Sequence, residues 1–400
     1  MTSARDARAA WVQEYLSAHC FRDAPAGPAR LTFGAELEWL AFDTASHQVA
    51  PIVARDALGS SIDAVRGVGR ELNWRETISD KGVPLFTGAT GGTLTFEPGG
   101  QIEYATGVHH AAHNVMAELQ QVEARLREYA GHVGIMLVAC GVDPFNGADG
   151  APLQLDATRY RRMAQYFSFI GPQGARMMRQ TASLQLNIGG FATLDRWAAA
   201  NAIAPWVIAL SANSSRYANA DTGCASYRSD TWRGVDPLRT GVFAGADGVA
   251  EYAAFALAAP AFLISSPAAP LAEVADQCLS EASLAAHLGT LFPEVRPRGY
   301  LEIRSPDAVE HHRRCASMAL VAGILGDELA AREALALVGP ADAALLVRAG
   351  RDGIGDPQIA SAAPDLLRIA EEGAVRLGPD VVSHELLGSL RDLGTGLPGR

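Results

Sequence analysis

The sequence predicts an α+β fold in which an antiparallel sheet packs against helices. Segments in which apolar and polar residues alternate are interspersed with longer segments of helical periodicity. Neither GxGxxG at a strand-to-helix turn nor GxxxxGK[ST] marks a classical nucleotide-binding parallel sheet. Each alternating segment has one apolar and one polar face, which is typical of antiparallel sheets.

Each element is predicted from its own pattern. Alternating or apolar segments predict strands at 31–43, within 83–106, and at 135–144, 181–190 and 298–307. Helical periodicity predicts helices at 6–19, 53–73, 111–134, 156–170 and 193–215, in two alanine-rich stretches between 241 and 298, and through most of the chain after 307. The polar stretch 216–241 is predicted to be a loop.

Composition excludes several classes of function. The chain has 400 residues, 48% of them hydrophobic, which is enough for a large core. A net charge of −11 without a basic tail argues against nucleic acid and anionic membrane surfaces as partners. The first residues lack the apolar stretch of a signal peptide, and no apolar run approaches the length of a membrane span. Five scattered cysteines without CxxC spacing predict reduced thiols in a cytoplasmic protein.

The distribution of motifs suggests one domain. The residues that could take part in catalysis or binding lie between positions 36 and 304, and we find no repeat and no low-complexity linker. We therefore expect residues 1–400 to form a single catalytic domain. Its motif-bearing core would span about 30–315, and a helical C-terminal region of about 307–400 would pack on that core. We expect a monomer or a homodimer.

Four strands carry polar residues at alternate positions, which places them on one face of each strand. These residues are Glu36 and Glu38; Glu97 and Glu103; Ser183, Gln185 and Asn187; and Tyr300, Glu302 and Arg304. Glu97 and Glu103 flank the Pro-Gly-Gly break of FEPGGQIEY. They share a face only if this break adds no bulge residue.

Two interpretations of these faces remain open. A single strand of this kind most often turns its polar face to water. Five neighbouring glutamates with Arg304 as the only nearby cation would repel one another, so their convergence would require a counter-charge. Oxygen ligands without thiolates suit Mg²⁺ or Mn²⁺, and carboxylate-bound Mg²⁺ usually serves a substrate phosphate. Arg304 beside Glu302 suits a phosphate oxygen, so the pattern predicts a metal-nucleotide enzyme with its site on the concave face of a sheet.

Four segments in the same order resemble the glutamate–cysteine ligase family, in the plant and proteobacterial branch that includes the actinobacterial ligases of ergothioneine synthesis. The segments are EPGGQIE (97–103), RMMRQTASLQLNI (176–188), the stretch 212–241, and HLGTLFPEVRPRGYLEIRSPD (287–307). The resemblance covers about 30–315. It implies a glutamine synthetase-like α+β fold, in which a curled antiparallel sheet forms a funnel surrounded by helices.

The resemblance also implies roles for individual residues. Metal ligands are expected at Glu36, Glu38, Glu97, Glu103, Gln185 and Glu302. Arg304 is expected to be catalytic at the nucleotide phosphates, with Asn187 as a further nucleotide contact, and substrate contacts are expected from Arg179, Tyr227, Arg228 and Trp232. The chain departs from the usual family sequence at Ile188-Gly189 and at Tyr104-Ala105-Thr106, which we expect to line the amine-acceptor pocket.

The implied activity is ATP-dependent formation of γ-glutamylcysteine, with Mg²⁺ or Mn²⁺ as cofactor and ATP as co-substrate. Glutamate would be activated as γ-glutamyl phosphate and then attacked by the amine of cysteine, for ergothioneine or glutathione synthesis. One alternative is a γ-glutamyl ligase for another amine. Another is a non-catalytic nucleotide-binding regulator on the same fold, although the retained acidic residues argue against it.

Overall fold

The computed structural model describes residues 4–21, 31–54, 59–79, 82–190, 194–245 and 247–396. The strands are β1 Thr32–Asp43, β2 Arg75–Ile78, β3 Pro84–Thr87, β4 Thr93–Phe96, β5 Ile102–Ala105, β6 Ile135–Val138, β7 Leu184–Gly189, β8 Arg216–Tyr217, β9 Ala220–Asp221, β10 Val295–Pro297 and β11 Leu301–Ile303. The α-helices are α1 Ala4–His19, α2 Ser61–Glu71, α3 Ala112–His132, α4 Thr158–Ser168, α5 Pro172–Gln180, α6 Leu194–Ser211, α7 Tyr227–Arg233, α8 Gly248–Ala258, α9 Glu281–Leu288, α10 His311–Gly326, α11 Glu328–Val338, α12 Ala343–Asp352, α13 Pro357–Leu377 and α14 His384–Thr395.

The main sheet is antiparallel throughout and is organised around β1. Its order is β10-β11-β7-β1-β5-β4-β3-β2, and β6 pairs with the far end of β1. Residues 32–37 of β1 pair with β7, residues 36–39 pair with β5, and residues 40–43 pair with β6. The predicted antiparallel α+β architecture is therefore confirmed, and β1 is the strand on which the others are aligned.

The apolar face of β1 is buried beneath helices. Leu37 and Trp39 have no exposed surface, and α3 and α10 pack on this side of the sheet. The indole N–H of Trp39 donates to the Glu123 carboxylate at 3.1 Å, and Glu123 also pairs with Arg127 and with the fully buried Arg314. This ionic cluster joins the back of β1 to α3 and α10, because a buried carboxylate must be paired to remain ionised.

Two sequence predictions differ from the structure. The predicted loop 216–241 contains the β8–β9 hairpin and α7. Helix α7 begins because the Ser226 hydroxyl accepts the backbone N–H of Ser229, and it is retained because Trp232 is buried. The segment 176–188, matched as a whole to a family strand, is helical up to Gln180, and β7 begins only at Leu184. Part of the helix predicted at 53–73, residues 55–58, lies outside the described residues.

The C-terminal helices surround α10, whose side chains are almost all buried. Helices α10 and α13 cross where two glycines meet. A Cβ atom added at Gly323 would lie 2.1 Å from the carbonyl oxygen of Ala370, and one added at Gly373 would lie 2.1 Å from that of Gly323. Backbone therefore packs directly on backbone at this crossing. Among the described helices, none is long and apolar enough to cross a membrane.

We expect Gly323→Ala to lower the free energy of unfolding by about 3 kcal/mol or more, because the added methyl collides with backbone that cannot turn aside. Gly388→Ala is the matched control, since Gly388 lies in α14 with open space at its Cβ position. It should stabilise the protein by about 0.5–1 kcal/mol through helix propensity. Urea denaturation of both variants tests this, and equal effects would contradict the crossing geometry.

Candidate active site

A cavity of about 250 Å³ opens on the polar face of the sheet. The structure brings together in its lining seven of the residues singled out from the sequence: Glu36, Glu38, Glu97, Glu103, Gln185, Glu302 and Arg304. They come from β1, β5, β7, β11, the turn after β4 and the position directly after β11, which is Arg304. The polar face therefore encloses a cavity, and the alternative of a face turned entirely to water does not apply.

Strand register places these side chains side by side. Glu36 lies opposite Gln185, and Glu38 lies opposite Glu103. Residues directly opposite each other on antiparallel strands project to the same face with their Cβ atoms about 5 Å apart. The alternation read from each strand separately thus becomes a single carboxylate surface.

The Pro-Gly-Gly break is a tight turn that preserves the face. The Glu97 N–H donates to the Gln101 carbonyl, and the Gly100 N–H donates to the Glu97 carbonyl, both at 2.9 Å. Glu103 lies opposite Thr95, two residues before Glu97, and no residue is added before the turn, so Glu97 stays on the face of Glu103. Gly100 has a φ of +92°, which favours glycine.

Burial and neighbouring carboxylates together make Glu36 and Glu38 costly to ionise. The Glu38 carboxylate accepts the Ser183 N–H at 2.7 Å, but burial raises its pKa to about 7 and the charge of Glu97 adds to the increase. Burial also raises the pKa of Glu36, with a further contribution from Glu302. A counter-charge here would restore the ionised forms.

Glu302 is neutralised differently. Its fully buried carboxylate lies 3.0 Å from Arg296, 3.2 Å from Arg298 and 2.9 Å from Arg304, measured to the Nη1 atoms. Burial acts to raise its pKa, but the three guanidinium groups outweigh burial and hold the value at about 2. Arg304 also donates to the Gln185 side-chain oxygen at 2.5 Å.

The expectation that Arg304 is the only nearby cation is wrong. β10 pairs with β11 and sets Arg296 directly opposite Glu302, and Arg298 follows in the connecting turn. Arg159 and Arg228 also line the cavity. The alternation of VRPRGYLEIR carried a signal for Arg296 and Arg298, but the hairpin that brings them to Glu302 is visible only in the fold.

The donor set fits a hard divalent cation in chemistry and charge, because it consists of carboxylate and amide oxygens and the pKa values of Glu36 and Glu38 are raised. In the described chain, no three acidic, histidine or cysteine side chains are grouped closely enough to hold one ion as they stand. Binding would therefore require the carboxylates to move together. Their assignment as metal ligands stays a prediction.

Arg228 and Trp232, predicted to contact substrate, also line the cavity. The Arg228 guanidinium lies 4.8 Å from the Trp232 ring and donates to the carbonyls of Arg304, at 2.8 Å, and Ser305, at 3.2 Å. Burial lowers the pKa of Arg228. The Trp232 indole N–H donates to the Phe292 carbonyl at 3.0 Å. Both side chains are thus fixed by backbone contacts in the wall.

Three predicted residues are not among those lining the cavity: Arg179, Tyr227 and Asn187. The Arg179 Nε donates to the Ala175 carbonyl of its own helix, and the Tyr227 ring lies 5.0 Å from the Arg176 guanidinium. Asn187 lies opposite Glu302 on the same face of the sheet.

The expectation that the departures from the family sequence line the acceptor pocket is wrong for Tyr104 and Ile188. Their side chains alternate with those of Glu103 and Asn187, which puts them on the opposite, apolar face of the sheet. Both are buried in the core, and Tyr104 stacks on Trp74.

Sequence reasoning also missed an apolar wall. Tyr160 and Met163 of α4 line the cavity with Met177, Met178 and Phe292. The helical periodicity of α4 predicted a buried face but did not indicate that this face borders the site.

The cavity combines carboxylate and amide oxygens with a cluster of guanidinium groups, a combination that suits an enzyme acting on charged small molecules. The chain belongs to glutamate–cysteine ligase family 2, whose model matches residues 32–379. The predicted family is therefore confirmed.

Individual relatives agree with this membership. The chain is 35% identical to the glutamate–cysteine ligase EgtA of Mycolicibacterium smegmatis, over 76% of each chain. It is 29% identical to EgtA of Mycobacterium tuberculosis, over 95% of this chain and 85% of the relative. It is 27% identical to the chloroplastic glutamate–cysteine ligase of Arabidopsis thaliana, over 79% of this chain and 66% of the relative.

A solved structure shows the same fold. The crystal structure of a Francisella tularensis glutamate–cysteine ligase in complex with AMP aligns with a TM-score of 0.53 at 12% identity, covering 95% of this chain and 83% of that one. The predicted glutamine synthetase-like fold class is confirmed.

Metal-free protein should lose stability as pH rises from about 4.5 to about 7, because Glu38 keeps its proton when folded and loses it when unfolded. The loss attributable to Glu38 is at most about 3 kcal/mol. Glu38→Gln removes it, so the variant should exceed the wild type in free energy of unfolding at pH 8 and match it near pH 4. Urea denaturation across this range is the measurement. A difference independent of pH would contradict the shift.

Proposed function

We propose that this chain joins L-glutamate to L-cysteine with ATP, forming γ-glutamylcysteine through γ-glutamyl phosphate. The observation that carries the proposal is the meeting of five carboxylates and a guanidinium cluster in one cavity of a glutamate–cysteine ligase family member. The EgtA relatives support ergothioneine synthesis as the pathway served. We further propose one catalytic domain in a cytoplasmic protein, a monomer or homodimer, in keeping with five reduced cysteines.

The carboxylate end would hold Mg²⁺ or Mn²⁺. We assign Glu36, Glu38, Glu97, Glu103, Gln185 and Glu302 as the residues that hold it. When bound, the ion supplies positive charge to the phosphates of ATP. The raised pKa values of Glu36 and Glu38 support a cation beside them, because burial, and then the neighbouring carboxylates, make each carboxylate costly to ionise.

The guanidinium end would bind the transferring phosphate. Phosphoryl transfer needs positioning and charge neutralisation more than covalent participation by the protein. Arg304 is held by Glu302 and Gln185, so its planar group has a fixed direction before substrate arrives. We assign it the central role, with Arg296 and Arg298 beside it and Asn187 as a more distant nucleotide contact.

The remaining wall would position glutamate and exclude water. Trp232 and Phe292 are buried in the cavity lining, where they would shield an acyl phosphate from hydrolysis. Arg228 provides positive charge near the α-carboxylate of glutamate. Arg179 and Tyr227 lie on α5 and α7, which already contribute other side chains to the lining, and we keep both as proposed substrate contacts.

A second cavity of about 330 Å³ supports a place for the nucleoside. It shares Arg159, Gly289, Arg296 and Arg298 with the carboxylate cavity. Its outer lining is aromatic and aliphatic and includes Tyr15, His19, Cys20, Tyr252 and Leu288. If the nucleoside of ATP bound there, its phosphates would extend past the shared arginines toward the carboxylates.

Saturating MgATP should therefore protect Cys20 from alkylation by N-ethylmaleimide, because Cys20 lines the second cavity. Cys278 is the internal control, since it is exposed and is not part of that lining. We expect Cys20 labelling, followed by mass spectrometry of peptides, to slow about tenfold when ATP blocks access, with Cys278 unchanged. Equal labelling of Cys20 with and without nucleotide would contradict this placement.

Turnover gives the direct test of the activity. ADP release should require glutamate and should be fastest with cysteine in a panel of amines. Glu97→Gln should raise the Mg²⁺ concentration needed for half-maximal rate about tenfold or more, since a carboxylate ligand is lost.

The same panel separates the alternatives. Glutamate-dependent ADP release with a different amine and not with cysteine would identify another γ-glutamyl ligase. Nucleotide binding without ADP release with any amine would favour a non-catalytic regulator.

A further inference from the structure

The turn that carries Glu97 is held from outside the cavity by Gln154. Within the turn, the Gln101 side chain accepts the Gly99 N–H at 2.9 Å and donates to the Thr181 carbonyl at 2.8 Å. Gln154 lies in the segment before α4 and makes four hydrogen bonds at the turn and beside it. Its backbone N–H donates to the Pro98 carbonyl at 2.7 Å. Its Nε2 donates to the carbonyls of Gly99, at 2.9 Å, and Ala50, at 3.1 Å, and its Oε1 accepts the Ile52 N–H at 2.8 Å.

Gln154 also closes the space around the turn. A Cβ atom at Gly100 would lie 2.2 Å from the Gln154 Nε2. On the other side, a Cβ atom at Gly99 would lie 2.2 Å from the carbonyl oxygen of Arg179. The turn is therefore clamped between the end of α5 and Gln154, with no room for a side chain on either glycine.

Glu97 depends on this clamp more than the other cavity glutamates do. Glu36, Glu38, Glu103 and Glu302 lie within β1, β5 and β11, where the ladder hydrogen bonds of the sheet fix the backbone. Glu97 lies just beyond β4. Turns are ordered less strongly than central strands, so an external anchor has the larger effect there.

We propose that Gln154 is a positioning residue that sets the affinity of the carboxylate cavity for a divalent cation by fixing Glu97. This inference rests on the proposed function, since it takes Glu97 to be a metal ligand. Binding an ion requires the carboxylates to draw together, and a turn already held in place loses less conformational entropy when they do. Partners of this kind, which orient a ligand without touching the metal, typically contribute 10–100-fold to metal affinity.

The test is Mn²⁺ titration of the metal-free full-length protein without substrates, with unbound Mn²⁺ measured by electron paramagnetic resonance. Gln154→Leu keeps the size of the side chain and removes its three side-chain hydrogen bonds. We expect the Mn²⁺ dissociation constant to rise about tenfold. The Mg²⁺ concentration for half-maximal ADP release should rise similarly, while kcat at saturating Mg²⁺ stays within about twofold of the wild type, because Gln154 contacts no reacting group.

Two comparisons separate positioning from general destabilisation. Gln165→Leu, at an exposed position of α4, is the matched control and should leave Mn²⁺ affinity unchanged. In a Glu97→Gln background, Gln154→Leu should cause little further loss, because the ligand that it positions is already gone. If Gln154→Leu does not fold, Gln154→Glu serves instead, since it keeps the size and backbone contact and loses the Nε2 donor.

The outcomes are distinct. Unchanged Mn²⁺ affinity in folded Gln154→Leu overturns the inference, as does an equal loss in the presence and absence of the Glu97 carboxylate. A wild-type protein that binds no Mn²⁺ also overturns it. A wild-type protein that binds Mn²⁺ but forms no glutamate-dependent ADP with any amine overturns the proposed ligase activity and leaves the role of Gln154 to the binding measurement.

Discussion

The structure depends on one electrostatic constraint, the crowding of five carboxylates on one face of a single sheet. Burying like charges together is unfavourable unless each is paired, hydrogen-bonded or protonated. The chain meets the constraint in two ways. Arg296, Arg298 and Arg304 neutralise Glu302, whereas Glu36 and Glu38 have raised pKa values that leave them ready for a cation.

The other face of β1 also buries a carboxylate, but only one. Glu123 is buried behind Trp39 and is held by Arg127 and Arg314. β1 is therefore fixed from behind by a satisfied ionic cluster while its front carries charges that are not fully satisfied. A rigid support of this kind allows charges that are costly to bury to remain at the site without loosening the sheet.

The alternation of polar and apolar residues along each strand predicted much of the site. This was possible because the face to which a strand residue points depends only on its position in that strand. It placed Glu36, Glu38, Gln185, Glu302 and Arg304 on the faces that the structure brings together. It did not reach Arg296 and Arg298, which meet Glu302 only through the pairing of β10 with β11. Helix α7 was missed because it is short and polar, and its stability comes from a cap and from the burial of Trp232 rather than from periodicity.

The three guanidinium groups around Glu302 have a consequence for selectivity. In the resting protein they already have an anionic partner, so an incoming anion must displace an internal competitor. An anion that contacts all three groups replaces more of these interactions than an anion that contacts only one of them. Any anion that binds these arginines therefore competes with Glu302 for them.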